Sequence, residues 1–233
     1  MIKSVLFRTI GLVVALLCAN SYALDVKLNP EQDAIKVKHN NKMVQVERIQ
    51  DQNHLVDDAW AKTSRKCPPF CAQPMEVAPE VTVAGEQEVF AFMENKVNSG
   101  KGVLIDARIA SFHKAGTIPG SINIEFKVFQ KGDLNDELEK AMKIVGATRR
   151  DIGIIDTTMD KALKSIGFDT HKHGYWDFSN VKELMLWCNG PWCGQSPAAI
   201  RGLLELGFPA EKIYYYRGGM QMWQIMGLPT IKP

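Results

Sequence analysis

Two thiols, Cys188 and Cys193, lie in the stretch Leu184-Met185-Leu186-Trp187-Cys188-Asn189-Gly190-Pro191-Trp192-Cys193-Gly194-Gln195-Ser196-Pro197. The apolar run predicts a strand that ends on Cys188. A tight loop follows, and a helix is expected to start at Ser196 or Pro197 and run through Ala198-Ala199-Ile200-Arg201-Gly202-Leu203-Leu204. A thiol at that strand end faces a helix N-terminus and the free N–H groups of the loop, both of which favour thiolate over thiol. The chemistry implied is that of a nucleophilic sulfur. A free cysteine of pKa about 8.5 is only a few per cent ionised at pH 7, and ionising most of it needs a shift worth about 2.7 kcal/mol. A helix terminus supplies about 0.3–1 kcal/mol. Several loop N–H groups must therefore converge on the sulfur, and Gly190 and Gly194 let the backbone curl that way.

The flanking chain supplies elements to hold this loop. Upstream, Val103-Leu104-Ile105-Asp106-Ala107-Arg108 reads as a strand, and Ala115-Gly116-Thr117-Ile118-Pro119-Gly120-Ser121-Ile122-Asn123-Ile124 as a turn leading into another. Val89-Phe90-Ala91-Phe92-Met93 opens an amphipathic helix, and residues 134–145 predict a second. Downstream, Gly207 to Trp223 reads as a turn, the short strand Ile213-Tyr214-Tyr215-Tyr216, a Gly218-Gly219 corner and a closing helix. Nearer the N-terminus, residues 35–47 alternate around Asn40-Asn41 and predict a hairpin. Residues 57–66 predict a short helix, and the two prolines of Cys67-Pro68-Pro69-Phe70-Cys71 forbid helix there.

Taken together, the Asp106-x-Arg108 strand end, the Gly116-Thr117-Ile118-Pro119-Gly120-Ser121 turn, the strand ending on Cys188 and the Gly218-Gly219-x-x-x-Trp223 helix resemble the rhodanese family, over roughly Glu80 to Pro229. The resemblance implies an α/β fold: a central parallel sheet flanked by helices, here with a small N-terminal hairpin and irregular extension. The chain is expected to fall into three segments: a signal peptide (1–23), an extension with the hairpin and the Cys-x3-Cys loop (24–79), and a rhodanese-like domain (80–233). Asp106 and Arg108 are expected to be structural. The loop from Cys188 to Ser196 is longer than the family's and contains no Arg or Lys, and Thr117 stands where the family's turn has histidine. Related phosphatases need Cys-x5-Arg, but the sixth residue after Cys188 is Gly194 and after Cys193 is Ala199. No arginine is placed to clamp a phosphoryl group, which argues against that chemistry. Trp192-Cys193-Gly194-Gln195-Ser196 is also similar to the thioredoxin motif with serine for its second cysteine. Too few residues follow it for that fold, so the likeness is read as local convergence.

Lys3 and Arg8, the apolar stretch from Ile10 to Cys18 and the small-x-small site Ser21-Tyr22-Ala23 predict a secretory signal cleaved after Ala23. The apolar stretch is short for a membrane span. The expected location is periplasmic, without stable membrane insertion after cleavage. The chain has 28 basic and 26 acidic residues, so losing Lys3 and Arg8 leaves it formally neutral. Nucleic acid is not an implied partner. Of the four remaining cysteines, Cys67 and Cys71 are read as a structural disulfide, with a mobile redox pair as the alternative. The residues 152–176 are longer than the family needs at this place; their His171, His173, Tyr175 and Trp176 read as a solvated insertion, with a substrate mouth or metal site as the alternative.

The expected function is sulfur transfer. Cys188 attacks an outer sulfur, carries it as a persulfide and passes it to an acceptor thiol. Cys193 is the candidate resolving thiol. Asn189, Gly190, Trp192, Gly194, Gln195 and Ser196 are the candidate substrate-binding residues. No cofactor and no metal are expected; the partners are a small sulfur-containing substrate and a thiol acceptor or partner protein. Two other readings stay open: a thiol–disulfide oxidoreductase cycling Cys188 with Cys193, and a binding module that has kept the fold and lost the chemistry.

Overall fold

The computed structural model describes residues 25–130, 135–150 and 175–233. The expected signal peptide and the His171 and His173 pair lie outside these residues. The described chain starts with a hairpin of β1 (Ala34–His39) and β2 (Lys42–Glu47), paired from Ala34↔Glu47 to His39↔Lys42. Asn40 and Asn41 both have left-handed φ, 47° and 63°. That is the turn geometry asparagine tolerates and whose twist matches two antiparallel strands.

Five short strands form the central sheet: β3 (Thr82–Ala84), β4 (Gly102–Asp106), β5 (Ser121–Asn123), β8 (Glu183–Trp187) and β9 (Ile213–Tyr216), in the order β3-β9-β8-β4-β5 and all parallel. The α/β expectation of a parallel sheet flanked by helices thus holds. Strands buried on both faces read as continuous apolar runs, and alternate side chains sort them into two layers. Val103 and Ile105 of β4, with Leu184 and Leu186 of β8, face one layer. It is closed by α4 (Phe126–Gln130), α5 (Asp136–Val145) and α6 (Gln195–Glu205), through Phe129, Leu138, Met142, Ile200 and Leu203. Leu104, Met185 and Trp187 face the other. There α2 (Glu86–Phe92), which runs on into a wide π turn over Met93–Val97, packs with α7 (Gly219–Ile225) through Val89, Phe90, Met220 and Trp223. The hairpin contributes Ile35, Val37 and Val46 to this same layer.

Three boundaries differ from the sequence expectation. The helix expected over 57–66 is only α1 (Asp58–Ala61). Asp57 caps it through Ala59 N–H, but none of its residues is fully buried and Trp60 alone packs against the core, and a helix with so narrow a packed face does not propagate. The helix expected from 134 starts at Asp136, where Asn135 accepts from Leu138 N–H. The helix after the cysteines starts at Gln195, one residue early. Beyond α5, β6 (Thr148–Arg149) and β7 (Trp176–Asp177) pair antiparallel and bring the two ends of the insertion together. The remaining helix, α3 (Ala110–Ala115), follows β4. Among the described residues, no helix is long and apolar enough to cross a membrane.

Candidate active site

β4 and β8 are central neighbours, paired from Gly102↔Glu183 to Asp106↔Trp187, so both end at the same edge of the sheet. Cys188 follows directly after β8, and the loop from Asn189 to Gly194 turns over it into α6. The Cys193 N–H closes a turn on the Gly190 carbonyl at 2.9 Å. The Gly218-Gly219 corner locks the loop from the other side. Met220 and Gln221 N–H donate to the carbonyls of Cys188 and Asn189, both at 2.9 Å. Gly219 has φ +55°, and a Cβ there would stand 2.3 Å from the Cys188 carbonyl oxygen. Only glycine fits.

The two thiols sit side by side and both are buried; Cys193 is 4% exposed. Cys188 is 2% exposed. Its sulfur accepts from the Ser196 hydroxyl at 3.0 Å, and its one thiol proton is shared between the Cys193 carbonyl, at 3.3 Å, and the Cys193 sulfur. Burial, reinforced by the neighbouring Cys193 sulfur, pushes its pKa well above the ordinary 9.0, against the opposing pull of Ser196. Cys193 goes the other way, to about 7. The hydrogen bond from the Cys188 thiol is the largest cause. Burial opposes it, and the N–H groups of Asn189 and Gln195 add to it. The Asn189 side-chain amide also approaches this sulfur, at 3.8 Å. No side chain caps α6, which leaves its first N–H groups for sulfur. The opposed shifts place the first negative charge of the pair on Cys193 and leave the proton on Cys188. Behind them lies the buried Tyr215 of β9, its phenol pushed up by burial and by the Cys188 sulfur.

Beneath the loop is a buried ionic cluster. Arg108, 1% exposed, donates from Nε and Nη2 to the two carboxylate oxygens of Asp106 at 2.8 and 2.7 Å. Its guanidinium stacks 4.6 Å from the Trp187 ring. Thr117 Oγ donates to Asp106 at 3.0 Å, and His113 Nδ1 lies 3.1 Å from it. Burial raises the Asp106 pKa, but the bonds from Arg108 and then His113 outweigh it, and the net shift is downward. Thr117 thus serves as a donor to this carboxylate.

A pocket of about 710 Å³ opens onto the loop. Asn189, Trp192, Cys193, Gly194 and Gln195 line it; Cys188, Gly190 and Ser196 do not. Ser196 lies fully buried behind Cys188, and Gly190 packs against Gln221 and Trp192. Of the two thiols named from the sequence, Cys193 borders the pocket and Cys188 lies behind it.

The other wall comes from the extension, which the sequence reading did not connect with the site. Trp60, Arg65, Pro69 and Phe70 line the pocket. Phe70 meets Trp192 edge-on at 5.3 Å, and the Arg65 guanidinium stacks 4.3 Å from the Trp192 ring. Polar clamps hold this strap. Gln73 N–H donates to the Pro191 carbonyl at 2.8 Å and Arg217 Nε to the Gln73 carbonyl at 3.0 Å. Gln221 accepts from Trp192 Nε1 at 2.8 Å and donates to the Trp60 carbonyl at 2.9 Å. Cys67 and Cys71 are joined in a disulfide with Cα atoms 4.7 Å apart, and Pro69 and Phe70 project from the small loop it closes. Among the described residues, no group of three or more His, Cys, Asp or Glu is arranged to hold a metal ion.

The model of the rhodanese-like domain matches residues 91–226, more than half of the chain. Among solved structures, a Lactobacillus plantarum protein from a structural-genomics programme is 20% identical, with a TM-score of 0.35, and the match covers 64% of this chain and 86% of that one. A human single-domain sulfurtransferase is 15% identical, with a TM-score of 0.36, covering 64% of this chain and 97% of its own. No curated protein sequence matches the chain.

Proposed function

Because the chain belongs to the rhodanese-like domain family, we propose that it is a sulfur carrier or sulfurtransferase that holds sulfane sulfur as a persulfide on the Cys188/Cys193 pair. The observation that carries this reading is the thiol pair itself. Cys193 borders the pocket with its pKa drawn down to about 7, beside a protonated Cys188. A low-pKa thiol at a pocket wall is the group that meets a sulfur donor. With thiosulfate, the Cys193 thiolate attacks the outer sulfur. A new S–S bond forms, the donor's S–S bond breaks with its electron pair on sulfite, and a persulfide anion remains. An acceptor thiolate then takes the outer sulfur and returns the electron pair to Cys193. The N–H groups that favour the thiolate favour the persulfide anion as well. Cys188, the thiol the family pattern selects, then acts from behind as proton donor to the charged sulfur. Export to the periplasm is part of the proposal, supported by the N-terminal residues 1–23 and by the Cys67–Cys71 disulfide, a bond that persists in oxidising compartments.

A second reading rests on the same opposed pKa shifts. A low-pKa thiol at the pocket wall beside a high-pKa thiol behind it also suits disulfide exchange: Cys193 opens a substrate disulfide, and Cys188 displaces the substrate to close a Cys188–Cys193 bond. Peptide mass spectrometry before and after exposure to thiosulfate or polysulfide separates the two. One added sulfur on Cys193, lost on adding an acceptor thiol, supports sulfur carriage with the proposed division of roles. Added sulfur on Cys188 restores the family assignment. An internal disulfide without added sulfur selects redox exchange, and two unchanged thiols refute both.

A further inference from the structure

The pocket is far larger than the sulfur chemistry alone requires. A volume of about 710 Å³ lies within the range of sites for drug-sized ligands, roughly 300–1,000 Å³. Its walls are mainly apolar: Trp60, Phe70, Phe112, Trp192 and Met220 all line it. Of its charged residues, Arg108 is neutralised by Asp106, and Asp57 is engaged as the cap of α1. Arg65 is different. Its Nη2 donates to the Ala59 carbonyl at 3.3 Å, and its plane is held by the Trp192 and Phe70 rings, yet its Nε is buried with no hydrogen-bond partner among the described residues. An unpaired buried N–H of a guanidinium is costly and draws an acceptor. Asn189, which also lines the pocket, has its Oδ1 likewise buried and unpartnered among the described residues, while its amide nitrogen points to the Cys193 sulfur and to Gln195.

We propose that Arg65 is the anion-holding residue of this pocket, and that the compound it admits is an organic sulfur anion with an apolar body, such as an aryl or alkyl thiosulfonate, rather than an inorganic one. The apolar body lies among Trp60, Phe70, Phe112 and Met220, and the oxyanion pairs with the Arg65 fork. The loop of this chain has no cation of its own, so the charge is delivered in cis by the extension. The transferred sulfur goes to Cys193 with the bonding pair of the broken S–S bond leaving on the organic sulfinate. This deepens the proposed function and rests on it for the transfer step, but the binding claim stands apart from turnover.

The test uses ligands that carry no transferable sulfur. The full protein is labelled at Cys193 with iodoacetamide, and benzenesulfonate, inorganic sulfate and benzyl alcohol are titrated as protectants. Benzenesulfonate is expected to protect at least about ten-fold more tightly than either sulfate or the neutral alcohol, because it alone engages both the cation and the apolar walls. R65Q is expected to weaken its protection at least about ten-fold, and R65K to restore part of it. The half-protecting concentration is read within each protein, so an altered intrinsic labelling rate does not enter. Equal protection by sulfate and benzenesulfonate, unchanged protection in R65Q, or a Cys193 that is never labelled would each overturn the proposal. If protection behaves as expected while no sulfur is transferred, the binding inference stands and the sulfurtransferase reading fails.

Discussion

Replacing Cys188 with alanine should switch off much of the reactivity of Cys193. The Cys188 thiol is the largest cause of the Cys193 shift, from 9.0 to about 7, so C188A deletes the donor that stabilises the thiolate. At pH 7 a thiol of pKa 7 is about half ionised, and one of pKa 9 about 1% ionised, a roughly 50-fold difference in thiolate. A more basic thiolate is intrinsically more nucleophilic, which returns roughly eight-fold for a shift of that size. The net loss in alkylation rate at pH 7 is therefore about six-fold at most. The N–H groups of Asn189 and Gln195 remain, so the midpoint should settle between 7 and 9 rather than reach the upper value. The assay is the rate of iodoacetamide labelling of Cys193 from pH 5.5 to 10, with the labelled peptide identified by mass spectrometry. A C188A midpoint still at 7 would show that the neighbouring thiol does not stabilise the charge. Label on Cys188 ahead of Cys193 in the wild-type protein would reverse the assignment of the proton within the pair.

Three more expectations follow from the same geometry. G219A should lower stability by about 2–5 kcal/mol, read by urea denaturation, because a Cβ at this positive φ runs into the Cys188 carbonyl and adds overpacking to left-handed strain. The depressed pKa of Cys193 makes stability depend on pH. Its contribution is fully present above 9, the unfolded value, and is lost as pH falls through about 7, so the stability difference between wild type and C193A should grow by up to about 2.7 kcal/mol between pH 6 and pH 9.5; a flat difference would refute the shift. C67S/C71S should lose about 2 kcal/mol of loop-closure stabilisation and raise hydrogen exchange at the Gln73 amide, which is bonded to the Pro191 carbonyl; an unchanged Gln73 would show that the strap stands without the disulfide.

What could be read from the sequence follows from how local each cause is. The strand into Cys188, the helix after Gly194 and the hairpin turn at Asn40-Asn41 each carry their reason within a few residues, as an apolar run, a missing cap or two left-handed asparagines. The wall made by Trp60, Arg65 and Phe70 does not. These residues meet Trp192 and Gln221 across more than a hundred positions of chain, and no periodicity records such a contact. The one trace was compositional: two aromatics and an arginine in an irregular, disulfide-closed segment that had no apolar face of its own to bury. Which cysteine borders the pocket was hidden for a similar reason. A strand end predicts a thiol near a helix terminus, but whether the following loop uncovers or covers it depends on its length and on what it packs against.

Loop and extension make sense as one device. On the proposed roles, the long loop folds over Cys188 and the reacting thiol is Cys193 at the pocket wall, where Asn189, Gln195 and the α6 terminus await the sulfur. A thiolate at an open pocket wall would meet water, which weakens each hydrogen bond that favours it. The strap across Trp192 supplies the missing cover, and it is tied to the loop at Pro191, to Trp192 through Gln221 and to Arg217 just ahead of α7. The same strap brings the one cation the loop lacks. Deleting the extension should therefore do more than remove a pocket wall. With Phe70 and Arg65 gone, Trp192 loses its stacking partners and Gln221 its Trp60 acceptor, and the loop holding Cys193 loses the contacts that keep its N–H groups aimed at the sulfur. The hairpin core of Ile35, Val37 and Val46 packs on Met185 and Trp187, so a cut that spares the hairpin and replaces only residues 57–73 with a flexible linker separates the two roles. That variant should keep its cooperative unfolding while the labelling midpoint of Cys193 rises from 7 toward 9. An unchanged midpoint would mean that the loop organises the thiol pair by itself.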